Sequence, residues 1–454
     1  AGGGTGDTYR AARDLYRQLG NRVRVGEMER RLGRLYYEAG DREKSMQHYQ
    51  EALQILEAGP PTAELAMAYS SMSQMLMLAS EYEQSVHWGE RAIALAAEMD
   101  AEAVRIHALN NVGSSLTGIG RTDEGLAMLR ESGERAIAAG LIHDAVRAKI
   151  NLGDIFLNLA RYAEAGGAYK DMVEFTVRYH ASGFEAAARE RLVLILWLTG
   201  EWQDALAAKH ALDDAGLAAT GLTRIWHAAT LARMFSDLGQ PARARALLEA
   251  DLEAALRNDE LQTVIPFLTQ LARACALSGE AEAGREAVEG MLQRMDAVSF
   301  FDGSCSPALL EILHWLETAE PASGVAAAEA CVDRLQRLTA QVQPADAEPS
   351  LAEARAVLAA MQGKVDQAAS GYGSAAAGWA DLGTPFPRAR ALAAQGRALS
   401  AAGRTEEARA VYREALTVLE DLLASLEDPD DRISFSSSGM LASVRSALST
   451  ETPG

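Results

Sequence analysis

The sequence predicts an all-α protein, a right-handed α-α superhelix of about ten helix-turn-helix repeats. Three observations carry this reading. A turn segment recurs along almost the whole chain of 454 residues, at a spacing near 40. A small residue follows each turn at a constant distance. The composition is helix-forming: 48% of residues are hydrophobic, with many Ala and Leu, while aromatics make up 6% and Val-Ile-Thr runs are scarce. Self-similarity at such a period marks a repeat array, which also explains a length beyond one ordinary core.

The turns run in order as "EAGDREKS" at Gly40, "LASEYEQS" at Ser80, "GIGRTDEG" at Gly120, "NLARYAEA" at Ala160 and "LTGEWQDA" at Gly200. They continue as "DLGQPARA" at Gly239, "LSGEAEAG" at Gly279, "TAEPASGV" near Ala319, "MQGKVDQA" at Gly363 and "AAGRTEEA" at Gly403. The helix before each turn carries apolar residues at helical spacing, as in Leu32-Gly33-x-x-Tyr36 and Leu152-Gly153-x-x-Phe156. Glycine at the turn ends that helix with positive φ at little cost. Acidic residues such as Glu43, Asp123 and Glu406 then favour the next N-terminus through the helix dipole. Five residues past the turn stand Ser45, Ser85, Gly125, Ala165, Ala205, Ala244, Ala368 and Ala408, small enough for two helices to approach closely. Seven further on come Ala52, Ala92, Ser132, Ala375 and Ala415, on the same helical face.

This grammar divides the chain. Residues 1–24 are expected to be a flexible stub, "AGGGTG", followed by an unpaired second helix of a truncated repeat from Asp7. Half a repeat exposes apolar surface, so the reading favours a chain cut from a longer protein over a capping helix. Seven repeats are expected in 25–300. A degenerate repeat with irregular loops follows in 301–348, bounded by "MDAVSFFDGSCSPA" and "VQPADAEPS". Two more repeats fill 349–427, and 428–454 is a C-terminal capping helix and tail, with Gly439–Leu448 covering the last repeat.

Charge and motif content exclude several functions. The net charge is −20, which disfavours nucleic acid as a direct partner of this region. Cys275, Cys305 and Cys331 stand far apart with no CxxC pair, which argues against a structural zinc site or disulfide framework and fits a reducing cytoplasm. No apolar run reaches the roughly 18 residues of a membrane span. The N-terminal glycines lack the strand before and the Gly-Lys-Ser/Thr after that a phosphate loop needs. The eight histidines are scattered without HExxH, and no Gly-x-Ser-x-Gly elbow occurs. No cofactor, metal or enzymatic activity is expected.

The Leu-Gly-x-x-Tyr, Ala-Gly-Asp and Tyr-x-x-Ala segments resemble the tetratricopeptide repeat (TPR) family. The period near 40 exceeds that family's usual length of about 34. With the endings Leu19-Gly20-Asn21, Ala139-Gly140 and Leu382-Gly383-Thr384, it resembles the variant in large bacterial signalling regulators of the MalT type and in LGN-like adaptors. The tail "DPDDRISF…VRSAL" resembles the segment that closes repeat arrays behind a STAND or AAA-type ATPase.

The resemblance implies where binding occurs. In the family the first helix of each repeat lines the concave face, through its second, fifth, sixth, ninth, twelfth and thirteenth positions. With the turn residue as fifteenth, the sixth positions include Arg31, Asn111, Asn151, Arg191 and Gln270, and the ninth include Arg34, Leu194, Arg233 and Arg273. Asn111 and Asn151 recur at one period beside His107, Asn110, Arg147 and Asn158. As donor and acceptor at once, Asn pairs with an extended peptide backbone or, alternatively, ties neighbouring helices together. Arg31, Arg34, Arg191, Arg233 and Arg273 hold acidic groups of a partner or pair within the stack. Trp226 and Trp197 map to the same face, with Trp226 an expected anchor.

The expected function is thus non-catalytic protein–protein interaction or ligand sensing within a larger cytoplasmic bacterial signalling protein with an upstream NTPase. The partner is a protein or peptide in the groove, or a small-molecule inducer. The alternative is a free-standing peptide-binding regulator or assembly scaffold.

Overall fold

The computed structural model describes residues 2–39, 41–214, 222–257, 260–296 and 305–449. Among these there are twenty-four helices and no strand. The chain runs through α1 (Gly2–Gln18), α2 (Arg22–Glu38), α3 (Arg42–Glu57), α4 (Ala63–Leu78), α5 (Tyr82–Glu98), α6 (Glu102–Gly118), α7 (Thr122–Ala138) and α8 (Ile142–Asn158). It continues through α9 (Tyr162–Arg178), α10 (Ser182–Leu198), α11 (Trp202–Asp214), α12 (Leu222–Asp237), α13 (Pro241–Glu249), the short α14 (Leu252–Leu256), α15 (Leu261–Ser278) and α16 (Ala281–Asp296). The last eight are α17 (Cys305–Ala319), α18 (Val325–Val342), α19 (Ala347–Met361), α20 (Val365–Asp381), α21 (Pro385–Ala401), α22 (Thr405–Ser425), α23 (Pro429–Ser436) and α24 (Gly439–Ser449). The fold is a TPR-like α-solenoid.

Backbone geometry makes the hairpins. From Ser80 to Gly200 a residue with positive φ occurs every twentieth position: Ser80, Asp100, Gly120, Gly140, Ala160, His180 and Gly200. Each left-handed residue lets the next N–H bond back to the end of the helix, as in Arg121 N to Leu116 O at 2.9 Å and Glu201 N to Leu196 O at 2.8 Å. The period of 40 is therefore two connections of 20, and Asp100 and His180 mark the second. The turn expected at Gly40, most of the loop after α16 (297–304) and the tail 450–454 lie outside the described residues.

Close approach follows from the small residues. Ser45, Ser85, Ala165, Ala205 and Ala244 are fully buried. Between α6 and α7 backbone meets backbone: a Cβ on Gly125 would meet the Gly113 carbonyl oxygen at 2.5 Å, and one on Gly113 would meet that of Gly125 at 2.8 Å.

The helices form two compact units, residues 1–155 with 257–260, and residues 156–256 with 261–454. In unit 1, α2 packs on α3, α4 on α5 and α6 on α7. The stub expected at the N-terminus is instead helical from Gly2, and α1 packs on α2.

In unit 2 the pairs α10–α11, α12–α13, α15–α16, α17–α18, α19–α20 and α21–α22 pack in turn. The end of the series returns to its beginning, since α11 packs on α22 and α24 packs on α21 and α22. Gln203 Nε2 donates to Glu427 Oε2 at 3.2 Å, and Glu427 N donates to Gln203 Oε1 at 3.1 Å. Aromatic packing drives the closure. Trp202 stacks on Trp197 with ring centroids 4.3 Å apart, and Phe435 of α23 meets Trp202 edge-on at 5.0 Å. Ala345 N also donates to Leu159 O at 2.9 Å.

Candidate functional site

The closed helices of unit 2 leave a cavity of about 220 Å³ at their centre. Its walls come from α8, α9, α10, α12, α15, α17, α19 with the residue before it, α20 and α21. The lining includes Asn158, Leu194, Trp197, Arg233, Gln270, Arg273, Glu311, Asp346, Trp379, Phe386 and Arg390. Counted from each turn residue, Leu194, Arg233 and Arg273 are ninth positions, Gln270 a sixth, Asn158 and Asp237 thirteenth, and Arg390 a second. These are the positions that the repeat register assigns to the inner face.

A chain of alternating charges crosses the cavity wall. Arg273 Nη2 lies 2.5 Å from Asp237 Oδ1, and Trp197 Nε1 donates to Asp237 Oδ2 at 2.7 Å. Arg273 and Arg390 flank Glu311 at 4.0 and 3.8 Å. Arg390 Nε donates to Glu353 Oε1 at 3.0 Å, His314 Nε2 lies 3.0 Å from the same oxygen, and Trp379 Nε1 donates to Glu353 Oε2 at 2.7 Å. Burial would raise the Glu353 carboxyl, but the Arg390 charge and the His314 and Trp379 contacts outweigh it and hold it down at about 2.

Arg233, Gln270 and Asp346 stand outside this chain, as does Tyr162, which lines the cavity near both Arg233 and Asp346. Among the described residues Arg233 makes neither a hydrogen bond nor an ion pair. Burial pulls its pKa below the usual guanidinium range, partly offset by Asp237. Gln270 Oε1 is buried without a hydrogen-bond partner. Asp346 has only the Ser350 hydroxyl, at 3.5 Å, and backbone for partners, and burial pushes its carboxyl up to about 6. The Arg233 and Asp346 charges are costs to folding that a suitable ligand removes.

The other residues singled out in the sequence lie elsewhere. Asn110, Asn111, Asn151, His107 and Arg147 come together in unit 1 as a ladder between first helices. Asn111 Nδ2 donates to Ser70 O at 3.0 Å, and Arg147 Nη2 donates to Asn111 Oδ1 at 3.1 Å. Asn151 Nδ2 donates to Asn110 Oδ1 at 2.6 Å. His107 Nδ1 lies 2.7 Å from Ser70 Oγ, and burial, with the nearby Arg147 charge, keeps this imidazole neutral by lowering its pKa well below 6.5. Asn111 is 0% exposed, so both ends of its amide serve the stack. Asn111→Ala is therefore expected to lower stability by about 1–3 kcal/mol, because Arg147 and the Ser70 carbonyl each lose a partner; chemical denaturation measures this. A stability within 0.5 kcal/mol of the unsubstituted chain would contradict that assignment.

Arg31 is occupied by Glu27, with Nε 2.9 Å from Oε1. Arg34 lies over the Tyr37 ring, and Tyr37 hydrogen-bonds Glu260. Arg191 sits 4.3 Å from the centroid of Trp226, whose Nε1 donates to Thr263 at 3.2 Å. Trp197 is core, 2% exposed. Of the residues singled out in the sequence as groove candidates, Asn158, Arg233, Arg273 and Trp197 line the cavity. Sequence reasoning missed Asp346, Glu311 and Arg390 there. Arg390 was within reach, since counting back from Gly403 makes it an inner-face second position. Asp346 lies between helices, where the register has no position for it.

The tetratricopeptide repeat signature matches residues 30–58 and 388–430. No curated protein matches the sequence. Among solved structures, the APC/C hetero-tetramer Cut9-Hcn1 aligns over 98% of this chain and 85% of that chain at 12% identity, with a TM-score of 0.54. The apo form of RapI aligns over 60% of this chain and 98% of its own at 13% identity and a TM-score of 0.45. A Rap protein complexed with competence and sporulation factor aligns over 60% of this chain and 76% of its own, at 15% identity and a TM-score of 0.47. At these identities the likeness is one of fold. Among the described residues no helix is long and apolar enough to cross a membrane.

Proposed function

We propose that this chain is a non-catalytic binding module whose unit 2 holds a ligand in its central cavity, and that it acts as the sensor region of a larger bacterial signalling protein with an upstream NTPase. The observation that carries the reading is the cavity itself. It is lined by inner-face positions of successive repeats and contains a cation, Arg233, and an acid, Asp346, that form no ion pair with any described residue. Binding proteins leave such groups for the ligand. A ligand touching α12, α15 and the segment before α19 ties together helices far apart in sequence. It thereby favours the closed arrangement of unit 2 over any more open one.

Filling the cavity tests this. Leu194→Trp places a large ring into the space while leaving the hairpin turns untouched. In a thermal-shift screen of metabolites and short peptides, compounds that raise the melting temperature of the unsubstituted chain are expected to leave the variant unmoved. Equal shifts in both would place binding outside the cavity and defeat the reading. The attached effector is tested separately, by whether a Walker A motif is encoded upstream in the same reading frame.

A further inference from the structure

We infer that the unit 2 cavity is shaped for a free α-amino acid with a short apolar side chain, its carboxylate on Arg233 and its ammonium on Asp346. This rests on the reading of the cavity as a ligand site and names the ligand class.

The argument is one of unmatched charge. Arg273 and Arg390 already have carboxylate partners in Asp237 and Glu353. Arg233 and Asp346 line the same cavity with opposite charges, yet neither forms an ion pair with the other or with any described residue. Two opposite charges that face one cavity without meeting are complementary to a zwitterion placed between them. A guanidinium suits a carboxylate because its planar fork donates two parallel hydrogen bonds. The raised Asp346 carboxyl is what a buried acid without a cation shows.

Size and walls restrict the choice. A protein cavity of about 150 Å³ accepts benzene, with six heavy atoms. The 220 Å³ here accepts, on that scale, about nine, the size of leucine. A peptide of several residues exceeds it, and a peptide C-terminus supplies no ammonium for Asp346. Leu194, Trp197 and Phe386 give the side chain an apolar wall.

Isothermal titration calorimetry on the full chain at neutral pH decides the matter, with L-valine, L-leucine and L-phenylalanine as probes. N-acetyl-L-leucine lacks the ammonium, leucinamide lacks the carboxylate, and alanyl-leucine represents a peptide end. At least one free amino acid is expected to bind, with N-acetyl-L-leucine and leucinamide at least tenfold weaker. Arg233→Met and Asp346→Asn are each expected to weaken that binding at least tenfold without lowering the melting temperature, since each removes a charge that forms no ion pair with any described residue. Arg233→Lys keeps the charge and is expected to retain measurable binding, which separates recognition from a packing defect. Absence of binding by all three amino acids overturns the inference. So does binding of the single-charge analogues or the dipeptide as tightly as the free amino acid. If those analogues bind the unsubstituted chain and not Leu194→Trp, the zwitterion assignment falls while the cavity remains the ligand site.

Discussion

Glu353→Ala is expected to destabilise the protein by about 3–5 kcal/mol, the cost of removing one partner from a buried ion pair. Glu353 is 0% exposed and accepts from Arg390 Nε at 3.0 Å and Trp379 Nε1 at 2.7 Å. Truncation leaves the Arg390 guanidinium and the indole N–H facing a void. Glu353→Gln preserves the shape and removes only the charge, so its difference from the unsubstituted chain isolates the electrostatic part. The loss depends on pH in a definite direction. The folded-state pKa is held down at about 2, below the ordinary 4.5, so at pH values between these the unfolded chain binds the proton more readily. The stabilisation is full above about pH 4.5 and disappears as the pH falls through 2. Urea denaturation from pH 7 downward is therefore expected to show the gap between the unsubstituted chain and Glu353→Ala closing over that interval. A gap independent of pH would mean that Glu353 acts by packing alone.

Phe435→Ala carries the second large effect, about 3–5 kcal/mol. Phe435 is 0% exposed and lies edge-on to Trp202, which stacks on Trp197 and donates its own N–H to the Trp197 carbonyl at 3.1 Å. One ring thus pins α23 to the helices where unit 2 begins. Its removal opens a cavity against two indoles, and their fluorescence is expected to shift to the red at temperatures where the unsubstituted chain is still folded. Loss of less than 1 kcal/mol in chemical denaturation would show that α23 and α24 are held chiefly by Leu441 and Val444, both buried in α24.

Much of the architecture was legible because it is local. The turn at Gly120, the small residue at Gly125 and the next at Ser132 depend only on neighbours within one hairpin, so their spacing states the fold. Register also placed Arg233, Gln270 and Arg273 on one inner face. The same register could not separate Asn111 from Arg233. Both are polar residues at inner-face positions; one is saturated by Ser70 and Arg147, while the other makes no hydrogen bond or ion pair among the described residues. A side chain's partners belong to the next repeat, some 40 residues away, and the repeat pattern carries no information about them.

The sequence by itself determined the helical period, the hairpins and the face on which binding groups stand, since these follow from φ, residue size and spacing. Tertiary structure decided which of those groups share a cavity. Closure of unit 2 sums a small rotation at every hairpin interface, and it brings Arg390 and Asp346 to Arg233 across more than a hundred residues. The aromatic contact of Phe435 with Trp202 then fixes the sum. Neither the accumulated rotation nor that contact has a periodic signature, so only the folded chain reveals the site.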